Sequence, residues 1–446
     1  MTSYNCDYPK VLVVGQPFHR FSGGGVTISN LFSNWSTDKL FSLNTSKEAP
    51  AFDVCKNVYM LGYKDRTPAL LRPFVNNRNK NMIFSMHSKN YDEIISGDKS
   101  NPHRSKYRNT LYKFSIMIGL NNLHHQYVIT EEIKRWLFEI KPDILYAQYA
   151  DYPSMLFILK LHKLLAIPLV VHIVDDWISI PPITNTSNNI NTLSIVNKYW
   201  TKKNGILFTR LLECSSSRIA ISELMAEEYT NRYGMNFTWA HNYVNPQNWL
   251  ELKEQSSIEA KVIIGYFGSI NIKNVDAFND MLEAIQSISN HDIILRIFTN
   301  SIVPDDISKS SCVEIRQSLD TYAYKRELLR CKILFLPLGF SDISIRYSQL
   351  SIPTKLAEYL ISGVPALVYA HKDTALYKFC YQTASAYVVS EKSPPIISFA
   401  IKKLIEDKKM NHDIVKNAIN VVSSGKISAG SMTDRFEKVF LSLINN

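Results

Sequence analysis

Short apolar runs alternate with helix-patterned stretches along most of this chain, and that alternation constrains its fold most tightly. Residues 10–15 (KVLVVG), 143–148 (DILYAQ), 168–174 (PLVVHIV), 262–268 (VIIGYFG), 293–299 (IILRIFT) and 333–338 (ILFLPL) read as buried strands. Residues 57–61, 82–86, 218–222, 238–242, 313–316 and 366–369 read as shorter strands, with 313–316 at an edge. Between them, 26–35, 131–140, 153–165, 198–214, 275–288, 322–331, 393–408, 411–422 and 432–443 carry helix patterning, and 113–123 is a candidate amphipathic or buried helix. A βαβ alternation of this kind predicts parallel sheets with helices on both faces.

A length of 446 residues suits two domains. A hydrophobic content of 46% with 20% charged residues describes a globular chain. No apolar run approaches the ~18 residues of a membrane span. The first residues lack a basic region followed by a long apolar core, so no secretory leader is expected. Six scattered cysteines form no C-x-x-C pair, which predicts reduced thiols in a cytosolic protein. The net charge of +10 is concentrated, because residues 56–113 hold 12 basic and 4 acidic residues interleaved with aromatics. That pattern suits an anionic membrane surface or a diphosphate-lipid, a nucleic acid, or a plain solvated face. No nucleic-acid module accompanies it, so the membrane is ranked first and no nucleic-acid partner is expected.

The most informative local pattern is 348–370, SQLSIPTKLAEYLISGVPALVYA. Polar Pro353, Thr354 and Lys355 lead into a short helix at 356–361, striped by Leu356, Tyr359 and Leu360. Ser362 and Gly363 end it, and 366–369 returns as a strand. A helix start favours an anion such as phosphate, and Lys355 adds positive charge there. Glu358, one turn inside, can accept hydrogen bonds from vicinal hydroxyls. The same residues also suit an ordinary core helix with a solvated Glu and Lys.

Residues 354–365 (TKLAEYLISGVP) resemble the donor-binding signature of GT-B glycosyltransferases, especially the retaining enzymes of glycosyltransferase family four. The resemblance implies two Rossmann-like domains facing across a cleft: 1–245 for the acceptor, a linker at 246–260, 261–425 for the nucleotide sugar, and a crossover helix at 426–446. It implies that Glu358 holds a ribose, and that Thr354, Lys355 and Leu356 border the diphosphate. The family's second Glu, eight positions earlier, is Leu350 here. The glycine turn after the first strand of the second domain carries over to Gly268, where Ser269 replaces the usual Arg and Lys273 lies near the usual Lys. Arg346 is a candidate replacement cation. Thr299, Asn300 and Arg316 are candidates near the base.

In the first half, Gly23, Gly24 and Gly25 sit in a loop after the first strand, a plain turn or a close approach for ligand. His172, Asp175 and Asp176 end a strand, where ligands of open sheets gather. The two carboxylates suit a base, a hold on acceptor hydroxyls or, less favoured, a divalent ion; alternatively Asp176 caps a loop and His172 is buried. The resemblance implies no cofactor and no metal. It implies transfer of a sugar from a nucleotide sugar to a saccharide acceptor, lipid-linked in bacterial surface polysaccharide synthesis. The expected place is the cytoplasm, peripheral on the inner membrane face. A nucleotide-sugar epimerase and a degenerate docking subunit are the rival readings.

Overall fold

A computed structural model describes residues 8–19, 23–44, 50–62, 65, 82–84, 127–149, 151–179, 194–250, 261–288, 292–317 and 321–444. The chain divides into two compact units. One is Met1–Ala220 with Ala226–Trp239 and Phe436–Asn446; the other is Ile221–Met225 with Ala240–Arg435.

Among the described residues, the first unit is built on β1 (Val11–Val14), β2 (Leu40–Asn44), β3 (Asn57–Met60), β4 (Met82–Phe84), β5 (Ile144–Ala147), β6 (Leu169–Ile173), β7 (Ser217–Ala220) and β8 (Thr238–Trp239). Their order is β4-β3-β2-β1-β5-β6-β7-β8. All neighbours are parallel except β3 and β4. β1, β2, β5 and β6 are buried along their whole length, and β1, β5 and β6 read accordingly as continuous apolar runs. Helices bridge them with local stop and start signals. Thr130 caps Glu131–Ile140 by accepting from the Ile133 N–H, and Asp151 and Ser154 form a capping box on Tyr152–Leu165.

The strand order reverses between β1 and β5, and Gly15 ends β1 at that point. Its φ is +102°, and a Cβ there would lie 2.1 Å from the Gln148 carbonyl oxygen. Backbone strain and a clash with backbone that cannot swing aside act together. Gly15→Ala is therefore expected to destabilise the first unit by roughly 3 kcal/mol, seen as a lower urea midpoint by circular dichroism.

Among the described residues, the second unit holds β9 (Val262–Phe267), β10 (Ile293–Phe298), β11 (Val313–Arg316), β12 (Ile333–Pro337), β13 (Ala366–Tyr369) and β14 (Tyr387–Val389). The order is β11-β10-β9-β12-β13-β14, all parallel. Tyr266, Phe278, Met281, Leu295, Phe335 and Ile397 sit in its buried core. Here the order reverses between β9 and β12, and Gly268 follows β9. The terminal helix Ala429–Ile444 joins the first unit from Phe436 onward. Phe436 and Phe440 pack edge-on against Phe32, with ring centroids 4.9 and 5.5 Å apart.

Several elements depart from the sequence expectations. The first helix spans Gly23–Leu31, so the three glycines form its opening turn rather than a loop ending at Val26. β2 was not expected, its apolar run being broken by Ser42 and Asn44, both buried. β14 and the helices Asp342–Ser348 and Ala375–Thr383 were also unforeseen. β8 stops at Trp239, short of the expected Asn242. The expected helix at 113–123, most of the basic segment 56–113 and the linker from 251 to 260 lie outside the described residues; of the polar stretch 183–197, expected as a surface loop, 183–193 lie outside them too and 194–197 open the helix Ser194–Cys214.

Candidate functional site

The second unit places a cation just before, and a carboxylate within, one short helix beside the end of its first strand. The approach to that helix is held side chain by side chain. Ser222 Oγ donates to the Leu350 carbonyl (2.6 Å), His241 Nε2 lies 3.4 Å from the Ile352 carbonyl, and Asn242 Nδ2 donates to the Thr354 carbonyl (2.9 Å). Alternate carbonyls of an extended strap are thus each met by a polar partner. The Leu356 N–H turns back to the Pro353 carbonyl, and the helix Leu356–Ile361 begins. Leu356, Tyr359 and Leu360 are buried, a contribution of about 1.5–3 kcal/mol each. Tyr359 reaches past the core, and its hydroxyl accepts from the Phe267 N–H at 3.0 Å. That bond locks the helix to the end of β9. Ser362 Oγ accepts from the Val364 N–H, and Gly363 at φ +79° ends the helix as the sequence predicts.

Gly268 makes room for the cation. Its φ is +151°, and a Cβ there would lie 2.1 Å from Lys355 Nζ. The ammonium sits 4.2 Å from the Tyr266 ring centroid, a cation–π contact. The Tyr266 hydroxyl donates to the Ser269 carbonyl (2.7 Å) and accepts from Asn274 Nδ2 (2.9 Å). Asn274 Oδ1 accepts from the Asn271 N–H (2.9 Å), so one buried amide braces the loop from 269 to 274. Burial pushes the Lys355 ammonium down to about 7, with Glu358 opposing.

Glu358 is half-buried one turn on. Tyr324 donates a 2.6 Å hydrogen bond to its Oε2. Burial raises the carboxyl above its ordinary range, opposed by the Tyr324 hydrogen bond and the Lys325 and Lys355 charges. The Tyr324 ring stands edge-on to Phe267 at 5.2 Å, and Phe267 stacks on Phe298 at 4.5 Å. Lys325 in turn lies 5.0 Å from the Trp249 ring. Tyr324, Tyr266, Asn274 and Lys325 were not expected at the site. Tyr324 lies 34 residues before Glu358, so no local spacing connects them.

Of the other expected donor-side residues, Thr354 and Ser269 engage the site's frame through their carbonyls. Lys273 turns toward Tyr347, its Nζ 5.6 Å from that ring, while its carbonyl accepts from the Gly339 N–H. Arg346 lies on the exposed side of the helix Asp342–Ser348, with no hydrogen bond to the Lys355–Glu358 helix. Arg316 is exposed at the end of edge strand β11 and pairs with Glu314 at 3.3 Å. Leu350 is buried, so no carboxylate stands at that position.

The first-unit expectations need correction. His172 lies inside β6, fully buried, with Nδ1 2.6 Å from the Tyr146 hydroxyl, which is the buried alternative read from the sequence and not the acceptor-side one. Asp176 is buried and committed: Tyr229 donates to Oδ1 at 2.6 Å, and Arg232 approaches Oδ2 at 3.4 Å. Both of its oxygens are thus met from within the first unit. Asp175 is half-buried at the strand end. Gly24 lies in the first helical turn, where a Cβ would meet the Gln16 side chain at 2.8 Å, and Gly25 is buried in the same turn. Among the described residues no cluster of His, Cys, Asp and Glu could hold a metal ion, and no helix is long and apolar enough to cross a membrane.

No family model and no curated protein matches the chain. Solved structures do. HepE of Anabaena in complex with UDP-glucose matches with a TM-score of 0.58 at 12% identity, over 98% of this chain and 100% of that one. An α,α-trehalose-phosphate synthase (UDP-forming) from Burkholderia vietnamiensis matches at 0.57 and 8% identity, over 98% and 99%. WaaG, a glycosyltransferase involved in lipopolysaccharide biosynthesis, matches at 0.55 and 9% identity, over 98% and 100%. At such identities the likeness establishes architecture: two sheets of parallel strands wrapped by helices, the GT-B fold, run through this chain.

Proposed function

We propose that this chain is a glycosyltransferase whose second unit holds a nucleoside-diphosphate sugar and passes the sugar to a saccharide acceptor. One observation carries the reading. A cation at the N-cap and a hydrogen-bonded carboxylate in the first turn flank the start of the helix Leu356–Ile361, locked to the end of β9 where the sheet order reverses. Lys355 meets the leaving diphosphate, and Glu358 accepts from the ribose hydroxyls. Positive charge in a half-buried setting stabilises the departing group more than it would in water. The bound complexes of HepE with UDP-glucose and the sequence signature at 354–365 support the same donor class. The finer reading is a retaining hexosyl transfer to a lipid-linked acceptor in surface polysaccharide synthesis, without metal. Incubation with labelled nucleotide sugars and a panel of lipid-linked saccharides tests it. Sugar transfer that stops in Lys355→Ala supports the reading; conversion of the nucleotide sugar alone to an epimer sinks it.

The depressed Lys355 gives a pH signature. The amine is charged below about 7 and neutral above it. A bound diphosphate favours the charged form, so binding takes up a proton on the alkaline side. Affinity for nucleoside diphosphate is expected to fall as pH rises from about 7 to 9, approaching tenfold per unit at the upper end. Lys355→Arg flattens that slope, since guanidinium stays charged. Stability runs the other way in the ligand-free chain. The unfolded lysine stays protonated up to about 10.5, so stability rises between about 7 and that value as the folded amine sheds its charge. Calorimetry in two buffers of different ionisation enthalpy reads the proton uptake directly.

A further inference from the structure

The helix Ser194–Cys214 in the first unit has two faces, and only one is buried. Trp200, Leu207, Phe208, Leu211 and Leu212 pack inward. On the other side Ile195, Tyr199 and Ile206 stand in solvent, 81%, 54% and 60% exposed. At about 100° per residue these three fall within about 40° of one another. Lys198 and Lys202 flank that apolar line on one side, Lys203 and Arg210 on the other, and all four are exposed. Lys203 Nζ lies 5.6 Å from the Tyr199 ring. The neighbouring helix Tyr152–Leu165 packs against this one and adds exposed Lys160 and Lys163. Acids are few: Glu213 in the last turn, and Asp151, which caps the neighbouring helix.

We propose that this face docks on an anionic lipid bilayer, with Ile195, Tyr199 and Ile206 entering the headgroup boundary and the flanking cations meeting lipid phosphates. Charge complementarity selects the partner class, because a basic face of this density attracts an anionic surface. The apolar line selects lipid over nucleic acid. Two exposed isoleucines and a tyrosine gain from burial among acyl chains, whereas a phosphate backbone offers them nothing comparable. Lys and Arg stems can lie along that apolar strip while their heads stay at the phosphates. The site is separate from Lys355 and Glu358, so it stands or falls independently of donor binding.

Vesicle co-sedimentation of the full chain tests it. Wild type is expected to bind vesicles of about 30% phosphatidylglycerol in phosphatidylcholine, to ignore pure phosphatidylcholine, and to weaken as salt rises to about 0.3 M. Ile195→Ser with Ile206→Ser is expected to weaken binding about tenfold or more without shifting the melting temperature or the response to nucleoside diphosphate. Should that variant melt early, Lys198→Glu with Lys202→Glu, both at exposed positions, reads the same surface and is expected to abolish binding. Undiminished vesicle binding in a folded variant overturns the proposal. So does failure of wild type to bind, or preference for duplex nucleic acid over vesicles in competition.

Discussion

Glu358→Ala is expected to lower kcat/KM for the nucleotide sugar by about 100- to 1,000-fold. On the proposed reading, two charge-assisted hydrogen bonds to ribose hydroxyls are lost, at about 1.5–2 kcal/mol each. The half-buried Tyr324 hydroxyl loses its acceptor as well. Most of the loss is expected in donor KM, because on that reading the ribose is distant from the bond that breaks and is held alike before and during transfer. Glu358→Gln keeps an acceptor for Tyr324 but not the charge, and is expected to fall between. Tyr324→Phe leaves the carboxylate without its 2.6 Å donor, which raises its pKa further. Its donor KM is expected to rise with a pH profile displaced upward, a readout that mere loss of packing does not move. Steady-state kinetics on the three variants, with melting curves as the folding control, checks the series. A Glu358→Ala enzyme with wild-type donor KM contradicts it.

Gly268→Ala carries the second large effect, by a different route. A side chain at φ +151° costs about 1–3 kcal/mol in backbone strain. The Cβ also enters the space that Lys355 Nζ occupies, at 2.1 Å. A lysine end is flexible, so it moves rather than the backbone, and it leaves its position over Tyr266. The expected result is a modest drop in melting temperature and a loss of nucleoside diphosphate affinity close to that of Lys355→Ala, about 30- to 100-fold. Because both changes remove the same cation from the same place, the double variant adds little to either single one. Isothermal titration of the four proteins closes this cycle. Additive losses instead show that Gly268 and Lys355 act independently.

The helix Leu356–Ile361 and the strand after it were legible because their signals are local: an apolar stripe, a glycine at the end, a short β-rich return. Both strand-order reversals follow from strands that announced themselves as apolar runs. What was hidden depends on distance along the chain. Tyr324 finds Glu358 across 34 residues, and Tyr229 finds Asp176 across 53, so no local spacing announces either hydrogen bond. The helix Asp342–Ser348 begins on a Ser341 cap that accepts from the Ser344 N–H, but its serines and short length give no clear helical pattern. Three consecutive glycines read as loop for the same reason, yet Gly23–Leu31 is helical, and a Gln16 side chain presses where Gly24 lacks one.

The most direct measurement is a calorimetric titration of the wild-type chain with uridine, guanosine and thymidine diphosphates, repeated on Lys355→Ala. The expected result is single-site binding of at least one of them, with proton uptake above pH 7, that the substitution removes. Absence of binding to all three, or undiminished binding in Lys355→Ala, contradicts the assignment of the Leu356–Ile361 helix as the seat of the donor.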